Sequence, residues 1–273
     1  MSRLELLRPH FDISGFGLEI GPGFNPLLPK SQGYHVETLD HTTETGLKEK
    51  YRDNSSVDIS KIEKVDYVSK GGTIFDLIGE KGRYDFIVAA HVIEHTTDLL
   101  GFLLDCENLL KNTGVLVLVV PDKRYCFDVL RPLSTTGAIL QAHLERRQNH
   151  NPGTIFDEIA YNSLRGGAPA WTELNSGPLT FFSTLEKARQ MFEEIQQTGA
   201  FVDIHAWQFT PSSFRLILND LNQMGYLSLR EKFFHDTVNF EFYIILSKTG
   251  AGCPVDRQSL TQNIIKEIRS IPE

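Results

Sequence analysis

The stretch Phe16-Gly17-Leu18-Glu19-Ile20-Gly21-Pro22-Gly23-Phe24-Asn25-Pro26 restricts this chain more than any other. A short apolar run ending in Glu19 reads as a buried parallel strand, and Gly21 with Gly23 permits a tight turn whose backbone presses against a ligand. This is a nucleotide-type loop. A dinucleotide site wants a third glycine to close Gly-x-Gly-x-x-Gly, so that a helix N-terminus can approach a pyrophosphate, but Pro26 holds that position. A dehydrogenase is therefore disfavoured. Glu19, two residues before the first glycine, suits instead a ligand with a cationic amino group and no phosphate.

The following segments extend one pattern. Tyr34 to Asp40 alternates as a half-buried strand and ends on an acid, 19 positions beyond Gly21, close to the roughly 20-residue interval at which an acid meets ribose hydroxyls in nucleotide-binding α/β folds. The polar segment from Thr42 is helical in its first half. Val65 to Val68 reads as a third short strand, followed by Gly71-Gly72 and a brief helix from Thr73 to Ile78. Tyr84 to Ala90 is a fourth, and it flows directly into His91-Val92-Ile93-Glu94-His95. Leu99 to Leu110 carries apolar residues at amphipathic helical spacing. Gly114 to Pro121 is a fifth, buried strand after a turn at Asn112-Thr113-Gly114. Such alternation makes a doubly wound parallel sheet with its ligand at the carboxyl ends of the strands.

Glu19-x-Gly21-x-Gly23 resembles motif I of the class I S-adenosylmethionine-dependent methyltransferases, and Tyr84-Asp85-Phe86-Ile87 followed by His91 to His95 resembles motif IV of their type 11 members. The resemblance spans roughly Phe16 to Ser247. It implies an α/β fold: a doubly wound, mostly parallel, seven-stranded Rossmann-like sheet, with Leu227 to Phe234 and Phe240 to Ser247 as closing strands, the last antiparallel. It also implies methyl transfer from S-adenosylmethionine. Glu19 and the Gly21 to Gly23 backbone are then expected to hold the methionine part, Asp40 the ribose, and Ala90 with His91 the floor of the site. An acid commonly follows the third strand near the adenine; this chain has Ser69-Lys70 there.

About 90 residues separate Pro121 from the helix that starts at Thr210-Pro211, far more than a connection needs. They are expected to form a helical cap, giving a core of 1–121 and 208–249, a cap or acceptor-binding insertion of 122–207, and a tail of 250–273. Within the cap, Thr135 to Arg147 and Leu185 to Gln197 read as helices. A hydroxyl acceptor needs a base as its proton leaves. The candidates are His143, His150, His205 and Asp122, with His91 and Asp157 beside them. On a helix, His91, Glu94 and His95 would share one face with ligand types that suit a divalent cation. The ubiquinone-biosynthetic O-methyltransferases resemble this region but carry Glu-x-x-Glu-His and are metal-linked, whereas many type 11 members have His-x-x-Glu-His without one. The reading therefore assigns no metal.

Val120 to Asp128 and His205 to Pro211 look like a bacterial subgroup often found with glycosyltransferases. That resemblance implies a sugar hydroxyl or sugar-linked phosphate in surface glycan biosynthesis as acceptor, and a glycosyltransferase as partner. Trp171, Trp207 and Tyr125 would stack on a sugar, and Lys123 and Arg124 would meet phosphate. A small phenol or quinone as acceptor, and a non-catalytic cofactor-binding partner of a glycosyltransferase, are the alternatives.

A net charge of −8 argues against a nucleic-acid groove, so DNA is not expected as a partner. Three cysteines without metal or redox spacing suit reduced thiols. No apolar run approaches the roughly 20 residues of a bilayer span, and the N-terminus lacks the basic flank and apolar core of a signal peptide. The expected location is the cytoplasm.

Overall fold

The computed structural model describes residues 2–172 and 177–270. The strands β1 (Gly17–Ile20), β2 (Val36–Asp40), β3 (Tyr67–Val68), β4 (Tyr84–Ala90) and β5 (Leu110–Pro121) alternate with α2 (Glu44–Tyr51), α3 (Ile74–Ile78) and α4 (Leu99–Leu109); α1 (Arg3–Leu7) precedes them. With β8 (Arg230–Val238) and β9 (Glu241–Ser247) they form one seven-stranded sheet in the order β3-β2-β1-β4-β5-β9-β8. β1 pairs parallel with β2 and β4, and β4 with β5, while β9 runs antiparallel to both β5 and β8. The strand order reverses between β1 and β4, the place where such sheets leave a crevice beyond their carboxyl ends.

Successive strand residues face opposite sides, and both sides are covered. On one face Leu18, Ile20, Ile87, Ala89, Leu116 and Leu118 pack with α4 and with Phe214 and Leu218 of α8 (Pro211–Gln223). On the other face Val36, Phe86, Val88, Val117 and Val119 meet Leu7, Phe11 and Leu28. Burial on both faces is why these strands read as continuous apolar runs.

Between β5 and α8 lie α5 (Thr136–Leu144), α6 (Pro152–Tyr161), the short antiparallel pair β6 (Ser163–Arg165) and β7 (Leu179–Phe181), and α7 (Leu185–Thr198). A final helix, α9 (Arg257–Arg269), packs on α8. Among the described residues no helix is long and apolar enough to cross a membrane, and Cys106, Cys126 and Cys253 are free.

Five local expectations are corrected. Ser2 to Ser14 alternates apolar and charged positions and reads in sequence as an N-terminal helix or arm without a strong cap, but helix α1 has a full cap: the Ser2 hydroxyl accepts from Glu5 N while the Glu5 carboxylate accepts from Ser2 N. β5 begins at Leu110, directly after α4, so the backbone passes Asn112-Thr113-Gly114 as strand. β8 continues through His235-Asp236-Thr237 to Val238, and the hairpin turns at Asn239 with φ +60°. Helix α6 was not foreseen, although Asn151 caps Thr154 N and Pro152 fills the first helical position. Finally, His91 to His95 is not one helix. His91 sits at φ +54°, and only Ile93–His95 form a 3₁₀ turn, so side chains at these positions do not share a helical face.

Candidate active site

The crevice at the ends of β1 and β2 is shaped by backbone. Gly21 and Gly23 adopt φ +66° and +53°, a region costly for other residues. Beyond them the proline-rich segment forms no α-helix, and a 3₁₀ turn at Lys30–Gln32 takes its place. The loop is held from beneath. Glu19 is 3% exposed and accepts from Leu27 N at 2.6 Å and Leu28 N at 3.1 Å. Burial pushes its carboxyl up to about 7 against the pull of those two N–H groups. Asp40, also buried, accepts from Gly23 N at 3.0 Å and His41 N at 2.7 Å, and its Oδ1 lies 2.5 Å from His41 Nδ1. Both acids therefore reach the glycine loop, Asp40 at its tip and Glu19 at its base.

The outgoing end of β4 is built of side chains. His91 Nε2 lies 2.6 Å from Glu241 Oε2, and Glu241 is gripped by the Arg3 guanidinium and accepts from Tyr243 at 2.7 Å. Burial would raise the Glu241 carboxyl, but bonds from His91, Arg3 and Tyr243 draw it down to about 2. Glu94 follows, fully buried, with neither carboxylate oxygen hydrogen-bonded. Around its Oε1 stand His91 Nδ1 at 3.6 Å, His95 Nε2 at 3.9 Å and His205 Nε2 at 4.0 Å.

The backbone explains how His205 arrives there from far along the chain. The Glu94 carbonyl accepts from Ala206 N at 2.6 Å and Trp207 N at 3.2 Å, which pins the 205–207 segment across the exit of β4. Asp128 then aims the imidazole, its Oδ2 standing 2.6 Å from His205 Nδ1. Arg131 ties the group together, donating to Asp128 at 2.8 Å and to the His205 carbonyl at 2.6 Å. Burial alone would lower the His205 imidazole, but the charge and hydrogen bond of Asp128, aided by Glu94 and Glu158, lift it to about 9. For Asp128 the charges and hydrogen bonds of His205 and Arg131 outweigh burial and hold its carboxyl below the usual range. His95 has a parallel partner in Asp203, 2.9 Å from its Nδ1. The closeness of the His95 imidazole holds Asp203 down to about 2, helped by the charges of Lys50 and His41 beside Asp40. The loop before α8 thus reaches over towards the β2 end of the crevice.

Of the candidates read from sequence, His205 and His91 join this cluster and His150 lies beside it. His150 is 5% exposed, tilts over Phe201 at 5.7 Å and is pushed by burial to about 4. His143 sits apart on α5, half-exposed, with Nδ1 2.9 Å from Asp98 Oδ2, and Asp157 lies on α6. Asp122 is wholly enclosed and spent on Arg124, which it holds through both oxygens, and on the Thr237 hydroxyl at 2.6 Å. It cannot meet an acceptor. The stacking and phosphate expectations are likewise overturned: Trp171, Trp207 and Tyr125 are at most 5% exposed and packed in apolar clusters. Lys123, buried, donates to the Val129 carbonyl, and Arg124 is committed to Asp122. Sequence reading assigned nothing to Asp128, Arg131, Asp203 or Glu241. No local spacing joins Asp128 to His205, and only the folded chain does.

In sequence, residues 4–222 match the family model described as a methyltransferase domain. No curated protein matches the chain. Among solved structures it is similar to a protein of Pyrococcus horikoshii and to a SAM-dependent methyltransferase from Aquifex aeolicus, each at 14% identity and TM-score 0.45 over 89% of this chain and 87% or 88% of theirs. A SAM-dependent methyltransferase of Methanosarcina mazei, 14% identical, aligns at TM-score 0.43 over 92% of this chain and 100% of its own. The family match spans most of the chain, and the strand order is that of the class I enzymes to which the glycine loop bears its resemblance. The chain belongs to the methyltransferase domain family and is an enzyme of methyl transfer.

Proposed function

We propose that the enzyme O-methylates a hydroxyl of a small polyhydroxylated acceptor of the sugar class. S-adenosylmethionine lies along the crevice, its methionine part against the Gly21 to Gly23 loop that Glu19 supports, its ribose at Asp40, with Ala90 and His91 beneath. The acceptor docks at the exit of β4, on the side of the Glu94 group where His91 and His95 are partly exposed. Methyl transfer is an in-line displacement at carbon, so the protein chiefly orients the two reactants and keeps water out.

The observation that carries the reading is the ring of histidines and carboxylates around Glu94, beside the strand that neighbours β1. That wall is rich in hydrogen-bonding groups, which favours a polyol over a flat phenol or quinone. It also supplies groups that orient a hydroxyl by hydrogen bonds as its proton leaves. A sugar-linked phosphate is less favoured, since Lys123 and Arg124 are committed inside the fold.

The test is transfer of isotopically labelled methyl from S-adenosylmethionine to a panel of free sugars, nucleotide sugars and phenols. Labelled sugar, lost on Asp40→Ala, is the expected result. Labelling confined to the phenols would overturn the acceptor class, and cofactor binding indifferent to Asp40→Ala would overturn the placement of the ribose.

A further inference from the structure

Among the described residues, Glu94 is the only carboxylate with both oxygens buried and without a hydrogen-bond partner. A bare carboxylate taken out of water is costly unless something cationic meets it. The nitrogens nearest to it, at 3.6 to 4.0 Å, stand beyond hydrogen-bond reach. That spacing is slightly wider than the roughly 3.3–3.6 Å that separates two ligands each about 2.0–2.2 Å from a tetrahedral ion, so the side chains would close on the ion by a few tenths of an ångström or more.

One ligand atom each from Glu94, His95 and His205 falls within 4.8 Å of the others. Both histidines direct Nε2 at Glu94, and both have Nδ1 beside a carboxylate, Asp203 at 2.9 Å and Asp128 at 2.6 Å. A carboxylate behind the imidazole, with the other nitrogen left facing a shared point, is the way proteins orient histidines on metal ions. His91 faces the same Glu94 oxygen, but its second nitrogen belongs to Glu241.

We propose that Glu94, His95 and His205 bind a divalent first-row cation of the zinc type, oriented by Asp203 and Asp128. Two imidazoles and one carboxylate are a zinc donor set that leaves a fourth position for an exogenous oxygen. His95 is about one-third exposed, which keeps a way in. Resting on the function proposed above, that position takes the acceptor hydroxyl. The oxygen binds the cation and its proton passes to water. Its lone pair then forms the bond to the methyl carbon, and the carbon–sulfur pair returns to sulfur, leaving neutral S-adenosylhomocysteine.

The experiment is a titration of the chelator-treated full chain with Zn²⁺ by calorimetry and with Co²⁺ by visible absorption. One cation per chain, and the intense absorption of four-coordinate Co²⁺, are the expected results. Glu94→Gln and the more exposed His95→Ala remove this binding, Asp128→Asn weakens it roughly 10–100-fold, and His235→Ala on β8 does not change it. Circular dichroism and titration with S-adenosylhomocysteine report the fold of each variant. Absence of stoichiometric binding by the folded wild type, or binding indifferent to Glu94→Gln and His95→Ala, overturns the metal site. Cofactor binding and sugar methylation that persist in that case leave the proposed function standing. A bound cation without methylation of any sugar does the reverse.

Discussion

The two ends of the crevice handle buried acid in opposite ways. At the β1 and β2 end, Glu19 and Asp40 are buried, at 3% and 4% exposed, yet each accepts two or more hydrogen bonds, mostly from loop N–H groups. At the β4 end, Glu94 accepts none. The first arrangement is complete as it stands and serves to hold a loop in shape; the second leaves both carboxylate oxygens without a donor, the nearest imidazoles standing at 3.6 to 4.0 Å. A backbone-shaped pocket can recognise a cofactor through fixed N–H groups, while a buried carboxylate without hydrogen bonds is a candidate place for chemistry.

The sharpest way to break this comparison is Glu19→Ala. It strands the Leu27 and Leu28 N–H groups beneath the loop, at a cost of roughly 2–6 kcal/mol for the two. We expect a large fall in melting temperature together with loss of S-adenosylhomocysteine binding. An unchanged melting temperature would mean that the loop holds itself.

Next in size is a pH effect that separates Glu241 from its neighbour Glu94. The folded carboxyl of Glu241 lies at about 2, against about 4.3 in an unfolded chain, a difference of roughly 3 kcal/mol. Because the folded value is the depressed one, this stability is fully present above about pH 4.3 and is lost as pH falls towards about 2. Thermal melts from pH 7 to pH 3 are expected to show Glu241→Gln less stable than wild type at neutral pH, with the gap narrowing below about pH 4.3. A gap constant across that range would remove the ion pair with Arg3 as its source.

Glu94→Leu should move stability the other way. Replacing a buried carboxylate that accepts no hydrogen bond by an apolar side chain of similar size is expected to gain about 1–3 kcal/mol, while methyl transfer is lost. Denaturant melts in chelator give the first number and a labelled-methyl assay the second. Destabilisation in chelator would show that Glu94 is satisfied within the bare fold, and would erase the contrast with Glu19.

The same contrast governs what could be read from sequence. The β1 end is local: a strand, two glycines and an acid 19 positions on are contiguous or regularly spaced, so motif and geometry coincide. The apolar runs of β4 and β5 gave the sheet for the same reason. The β4 end is non-local. Glu94 and His95 were visible, but His91 was grouped with them on a helix that φ +54° forbids. His205 and Asp128 enter through contacts across 77 residues, set by the hydrogen bonds of Ala206 and Trp207 to the Glu94 carbonyl. Trp171 and Trp207 misled because an aromatic residue in a polar insertion reads equally as a binding face or as core, and burial decided for core.

His143 gives the smallest expected effect and sets the outer edge of the cluster. It was a candidate base on residue type alone, and the fold places it on α5 against Asp98, with about a third of its side chain in solvent. Asp98 caps α4 through Gly101 N at 2.8 Å independently of that contact. An exposed pair of this kind contributes under about 1 kcal/mol, so His143→Ala should scarcely shift the melting temperature. It should also leave kcat/KM for the methylated sugar within error of wild type, because no His143 contact reaches Glu94, Asp40 or the glycine loop. A large fall in kcat with KM unchanged would place the proton acceptor on α5, and would move the acceptor from the Glu94 side of the crevice to the α4 side.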